Sequence, residues 1–179
     1  MSYRKSALFL VLNQTCFNGV WRVCRKGKFN VPFGKKVFPQ LPTPEQLAGY
    51  REALKEVTFE VGDFEAQLRT AKAPDFIYLD PPDPALNGTA FFTHYSKGRF
   101  STFDQERVAN EVRRLTRLGC KVLVSNAGTE SILKLYSKFR IEVMPTTRYV
   151  AAGGIRHRVT DIAILNYDES GELIQRAAG

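Results

Sequence analysis

The stretch Asp80-Pro81-Pro82-Asp83, directly after the apolar run Phe76 to Leu79, concentrates groups that can do chemistry. A carboxylate followed by two prolines offers two kinds of acceptor, carboxylate oxygens and backbone carbonyls, and each proline ring locks φ and so fixes their direction. Such acceptors suit an exocyclic amine like adenine N6, whose lone pair is delocalised into its ring. Pulling on both amine hydrogens favours a tetrahedral, nucleophilic nitrogen able to accept a methyl group. An aromatic ring at the fourth position would stack on the base, a contact worth about 1–3 kcal/mol; Asp83 cannot stack. Asp-Pro turns also end many ordinary strands, so the loop taken alone leaves a turn and a site both open.

Charge adds a second feature. The formal net charge is +8, and residues 1–36 hold eight Lys and Arg with no Asp or Glu. The rest of the chain carries 18 bases against 18 acids, so the whole excess lies in the first fifth. A localised basic surface of this kind suits phosphates. Phe17, Trp21, Phe29 and Phe33 are interleaved with these bases, a pattern that a hairpin with a solvated basic face would also give.

The elements that must position these groups can be read from periodicity and turn chemistry. The run starting at Ala7 predicts a buried helix over residues 3–13. Arg22 to Cys24 and Phe29 to Val31 alternate around Lys26-Gly27 as a β-hairpin. Thr43, Pro44 and Gln46 predict an N-cap, a first-turn proline and a capping box for a helix reaching about Val57. Strands are then expected at Thr58–Val61, Phe76–Leu79, Lys121–Ser125, Arg140–Met144 and Asp161–Leu165, alternating with helices as in an α/β sheet. The best helix contains Val108, Val112 and Leu115 on one face, with a capping box from Thr102 and Gln105 and a close at Gly119. Another helix is expected from Thr129 to Lys138, and a frayed tail from Asp168.

The 179 residues, 44% hydrophobic, suffice for one ordinary domain with a sizeable core. Cys16, Cys24 and Cys120 are odd in number and form no CxxC pair, which argues against a disulfide framework and for a reducing cytoplasm. His94 and His157 stand at no ligand spacing, so no metal is expected. The apolar run near the start is too short for a membrane span.

In order and spacing, "LFLVLNQTCFNGVWRV", "GKFNVPFG", "VGDF", "DFIYLDPP", "TAFFTHY", "FDQERVA", "VLVSNAGT" and "ILNY" resemble the Dam-type DNA adenine-N6 methyltransferases, from Ala7 to Tyr167. The resemblance implies a partial Rossmann-like α/β sheet, mixed, with a late antiparallel strand. It divides the chain into a target-recognition region at 1–57, the C-terminal part of the methyltransferase domain at 58–167 and a tail at 168–179. It implies double-stranded DNA as partner, S-adenosylmethionine as methyl donor and a flipped adenine as substrate.

Residue by residue, the resemblance assigns Asp80, Pro81 and Pro82 to the target amine, with Asp83 in the place of the stacking tyrosine. Asp63 and Phe64 match the place that holds the cofactor's adenine, and Asp80 also borders the cofactor. Arg22 matches the arginine that reads a guanine edge, while Asn18, Val20, Asn30 and Pro32 lie along bases or shape the hairpin. Lys26, Lys28, Lys35 and Lys36 would meet phosphates, Lys36 standing where relatives often have an aromatic. Phe92 and Tyr95 match positions flanking the target-base loop. The family's Gly-rich turn for the methionine end of the cofactor has no counterpart here, so a complementary chain supplying it is expected. Two readings follow: a methyltransferase chain incomplete at its N-terminal side, and an inactive DNA-binding relic.

Overall fold

The computed structural model describes residues 2–24, 26–36, 38–83, 100–152 and 155–174, with backbone alone for 145–152 and 155–159. The chain divides into two compact units, Met1–Glu60 and Val61–Gly179.

In the first unit, helix α1 spans Tyr3–Thr15 and helix α2 spans Pro44–Ala53. The expected capping box is present on α2: Thr43 Oγ1 accepts from the Gln46 N–H, and Gln46 Oε1 accepts from the Thr43 N–H at 2.9 Å. Between the helices the basic segment folds back through two isolated antiparallel bridges, Cys16 with Phe33 and Val23 with Phe29. Its turn is closed by the Gly27 N–H on the Cys24 carbonyl, with Gly27 at φ 73°. Trp21 packs between Phe9 and Phe29, with ring centroids 4.8 and 5.0 Å away.

The expectation of a buried helix at the start is wrong. No residue of α1 is buried, and Leu8, Phe9, Leu10 and Val11 are all exposed. Six consecutive apolar residues, Ala7 to Leu12, point all round a helix at about 100° per residue, and Trp21 and its neighbours cover one side only. The strand expected at Thr58–Val61 is also absent. That segment is irregular and Val61 is fully exposed. β-propensity there has no ladder to satisfy among the described residues.

The second unit opens with a single-turn helix, α3 at Phe64–Gln67, and then forms a four-stranded sheet from β1 (Phe76–Leu79), β2 (Lys121–Ala127), β3 (Arg140–Ala152) and β4 (Ile155–Leu165). Strand order is β1-β2-β4-β3, with β1 parallel to β2 and the other pairs antiparallel. This is a mixed α/β sheet of the expected kind, with β1 at one edge. Helix α4 (Thr102–Arg117) joins β1 to β2, and the short α5 (Glu130–Leu135) follows β2. Val108, Ala109, Val112 and Leu115 recur at helical spacing and meet Ile77, Val122, Val124, Ile162 and Ile164 of the sheet in one core.

Polar groups stitch this core as well. Fully buried Asn166 accepts from the Val122 N–H at 2.7 Å and donates to Thr116 Oγ1 and the Cys120 carbonyl, both at 2.9 Å. Gly119, at φ 85°, ends α4 in the left-handed region that a C-terminal glycine makes accessible. The N-terminal cap of α4 departs from expectation: Ser101 and Asp104, not Thr102 and Gln105, form the capping box. Nor does the chain fray at Asp168. Its Oδ1 accepts from the N–H groups of Ser170 and Glu172, both at 2.9 Å, and Tyr167 bridges Leu173. This Asx-type turn lays Ile174 against the core. Among the described residues no helix is long and apolar enough to cross a membrane, and no three His, Cys, Asp or Glu side chains gather as metal ligands would.

Candidate active site

The parallel register of β1 and β2 sets Leu79 opposite Val124, so the next step brings Asp80 alongside Ser125 at the carboxyl end of β1. Ser125 Oγ donates to Asp80 Oδ1 at 2.6 Å. A hydroxyl has one proton to give, so the Tyr78 hydroxyl, 3.0 Å from Ser125 Oγ, is the donor in that second contact. A chain of hydroxyls therefore holds one carboxylate oxygen of Asp80. Asp80 is exposed, Pro81 half-buried, and Pro82 and Asp83 exposed.

Two residues further on, the loop is held from another side. Gln105, buried on the inner face of α4, places its Nε2 2.8 Å from the Pro82 carbonyl. Its Oε1 accepts from Asn126 Nδ2 at 3.0 Å, and Asn126 Oδ1 accepts from the Ala127 N–H at 2.8 Å.

Asp63 begins α3, where its Oδ1 accepts from the Glu65 N–H at 3.0 Å. Arg107 Nη2 reaches both Asp63 oxygens at 2.8 and 2.9 Å, while its Nε meets Glu65 at 2.8 Å and its Nη1 meets Asp104 at 3.0 Å. The guanidinium also lies over the Phe64 ring, 4.7 Å from its centroid. These contacts hold the Asp63 carboxyl below its usual range, chiefly through the Arg107 hydrogen bonds. They raise the already high Arg107 value further. A carboxylate has about four acceptor positions, so Asp63 retains capacity for a ligand donor.

In the first unit, Arg22 and Asn30 face each other across the bridged segment. Arg22 Nε donates to Asn30 Oδ1 at 3.0 Å and Nη2 to the Asn30 carbonyl at 3.1 Å. Three of the five N–H groups of the guanidinium remain, including both on Nη1, so its outer edge can still present a fork. Lys26, Lys28, Lys35 and Lys36 are exposed, as are Val20 and Pro32. Asn18 at φ 53° and Lys35 at φ 56° take left-handed backbone, Asn18 in the short turn between α1 and Val20 and Lys35 just after Gly34. The Asn13 side chain donates to the Gly19 carbonyl at 2.7 Å, which fixes the short turn.

The structure thus pairs Arg22 with Asn30, and ties Asp63–Phe64 and Asp80–Pro82 to one helix through Arg107 and Gln105. Phe92 and Tyr95 lie outside the described residues. Sequence reasoning missed Tyr78, Gln105, Arg107, Ser125 and Asn126 as site components. The available sign was a polar residue on an apolar stripe, Gln105 ahead of Val108 and Val112, and a Ser-Asn pair inside a strand, since buried polar groups need partners.

Residues 1–150 match the model for the D12 class N6 adenine-specific DNA methyltransferases. The chain belongs to that family. It is 36% identical over 167 residues to the type II methyltransferase M.MjaIII of Methanocaldococcus jannaschii, covering 92% of this chain and 58% of that protein. It is 33% identical over 165 residues to the DNA adenine methylase of Serratia marcescens, covering 91% and 61%. A DNA N-6-adenine-methyltransferase of Escherichia phage P1 is 38% identical over 152 residues, covering 84% and 20%. The chain therefore spans about three fifths, or less, of the length of these relatives.

Proposed function

We propose that this chain carries the base-holding and DNA-reading parts of a DNA adenine-N6 methyltransferase, acting on a flipped adenine in duplex DNA with S-adenosylmethionine as methyl donor. The observation that supports this best is Asp80: an exposed carboxylate at the carboxyl end of a parallel strand, with one oxygen held by Ser125. Asp80 Oδ2 accepts one hydrogen of the target amine, and a backbone carbonyl of the Pro-Pro segment accepts the other. The Pro82 carbonyl is already engaged by Gln105. The nitrogen lone pair is thereby directed away from the ring.

The cofactor, when bound, supplies an electrophilic methyl group on a sulfonium. Sulfur would keep the C–S electron pair as the methyl group passes to nitrogen, and Asp80 would take the amine proton along its hydrogen bond. Asp63 and Phe64 would hold the adenine end of the cofactor, and their donor set fits it: a fixed carboxylate with acceptor capacity to spare, beside an aromatic ring. The methionine end would be held by a Gly-rich segment supplied in addition to these 179 residues. Arg22 reads a base edge, and the exposed lysines neutralise phosphates.

A second reading is a DNA-binding relic, favoured by exposed Asp83 in the stacking position. Losing a stack of about 1–3 kcal/mol weakens base capture roughly ten- to hundredfold.

Labelled methyl transfer to unmethylated duplex DNA decides between them, measured for the chain alone and with a polypeptide bearing a Gly-rich cofactor segment. Label on adenine N6, lost in Asp80→Ala and increased in Asp83→Tyr, is expected. DNA binding without label in any combination would leave the relic; a binding constant indifferent to salt would remove the phosphate-reading hairpin from both readings.

A further inference from the structure

We propose that Gln105, oriented by Asn126, is a positioning residue that fixes the Asp80-Pro81-Pro82 loop for the incoming base. The inference rests on the reading of that loop as the base-holding element, and it gives Gln105 and Asn126 a role in positioning it. Gln105 is 2% exposed and occupies the apolar stripe of α4, three and seven residues before Val108 and Val112. A side chain needed there only to fill space would be Leu or Met. A buried amide must instead satisfy both its ends.

The direction of the hydrogen bonds is set by the backbone. The Ala127 N–H can only donate, so the Asn126 atom facing it is the carbonyl oxygen, 2.8 Å away. Asn126 then turns its NH2 to Gln105 Oε1 at 3.0 Å, which leaves Gln105 Nε2 as the donor to the Pro82 carbonyl at 2.8 Å. A main-chain proton on β2 thus dictates a donor at the loop. Pro81 and Pro82 have fixed φ, so a grip on the Pro82 carbonyl restricts the peptide planes before it. Ser125 grips the other end of the same three residues through Asp80 Oδ1. Two neighbouring residues of β2, Ser125 directly and Asn126 through Gln105, therefore clamp the loop at both ends. The acceptors proposed to meet an amine lie between the two held points, and a misplacement of about 1 Å in such a pair costs roughly a hundredfold in rate.

Two variants test the clamp without emptying the core. Gln105→Met keeps volume and removes the donor. Asn126→Asp keeps shape but can only accept, so Gln105 turns its Nε2 toward the introduced carboxylate and sets Oε1 against the Pro82 carbonyl. Prolines have no N–H, so the reporters are the backbone amides of Asp80 and Asp83, read by NMR relaxation on the free chain. In both variants their order parameters should fall from about 0.85 toward 0.6 while amides in α4 and β2 keep theirs. Where methyl transfer is measurable, kcat should drop roughly ten- to hundredfold with KM for DNA within about twofold. Unchanged Asp80 and Asp83 amides in both variants overturn the proposal, as does a KM effect with kcat intact. Loosened amides in a chain that transfers no methyl group uphold the clamp and count against the methyl-transfer reading alone.

Discussion

The two units of this chain use their apolar residues in opposite ways. Among the described residues of Val61–Gly179, thirteen close into one buried cluster, and Ala109, Leu115, Cys120, Val122, Val124 and Tyr136 lose all contact with solvent. In Met1–Glu60, Cys16 is the one described residue that is buried, although the unit holds Trp21 and many Leu, Val and Phe. The second unit is organised by burial, the first by backbone hydrogen bonds, one capping box and a three-ring stack. A helix of ten residues such as α2, with nothing buried, falls below the length at which isolated helices hold in water. The residues proposed above to read DNA thus sit where the described chain buries least, and segments of such low local stability open most readily.

The largest expected effect probes this contrast directly. Leu115→Ala removes a fully buried side chain between α4 and the sheet and should cost about 2–5 kcal/mol in denaturant unfolding. Leu10→Ala, on exposed α1, should change stability by less than about 0.5 kcal/mol. Similar costs at the two sites would show that the first unit has a core in solution, and the contrast would fall.

An effect of intermediate size compares like with like. Each unit contains one capping box, Thr43 with Gln46 and Ser101 with Asp104. Thr43→Ala and Ser101→Ala remove the same kind of hydrogen bond, worth about 0.5–2 kcal/mol. Their consequences should nevertheless differ. In α2 the loss appears locally, as faster amide exchange over Pro44–Ala53 with the main unfolding transition unmoved. In α4, which is packed along its length, it lowers the midpoint of that transition. Faster exchange confined to the first turn of α4 would show that its packing and its cap act separately.

The same contrast explains which parts were legible in the sequence. Helix α4 and strands β1, β2 and β4 announce themselves because burial imposes a period, as in Val108, Val112 and Leu115. Thr58–Val61 has the letters of a strand, but a strand exists only with a partner, and no periodicity records whether one is alongside. Six consecutive apolar residues in α1 promise burial without saying against what. Asp80-Pro81-Pro82 stands out as a candidate because its residue types are adjacent in sequence, although the loop alone fits a plain turn as well. The groups holding it do not stand out, since Ser125 and Gln105 are 45 and 23 residues away. Gln105 looked like a capping partner because the helix was started one residue late; with Ser101 as the cap, Gln105 moves to the inner face.

The smallest effect concerns carboxylates, and it separates two neighbours within the second unit. Asp63 and Asp104 both touch Arg107, and both carboxyls lie below their ordinary range. The leading causes differ: for Asp63 the Arg107 hydrogen bonds, for Asp104 the Ser101 hydroxyl and N–H, with Arg107 behind them. A carboxylate whose folded value is depressed adds stability above its unfolded value, near 4, and that contribution disappears as pH falls through the lower folded value. Acid below about pH 4 should therefore loosen the attachment of α3 to α4 before it affects the apolar core. In a carboxyl 13C titration, Arg107→Gln should move the Asp63 midpoint up to the ordinary range and that of Asp104 only part of the way. Ser101→Ala should do the reverse, raising Asp104 and leaving Asp63 in place. Equal shifts of both carboxyls in Arg107→Gln would mean that Arg107 governs the α4 cap as well as Asp63. The α3–α4 corner and the helix start would then be one electrostatic unit rather than two, and Gln105, which lies between Asp104 and Arg107 in the chain, would feel the change at the Asp80 loop.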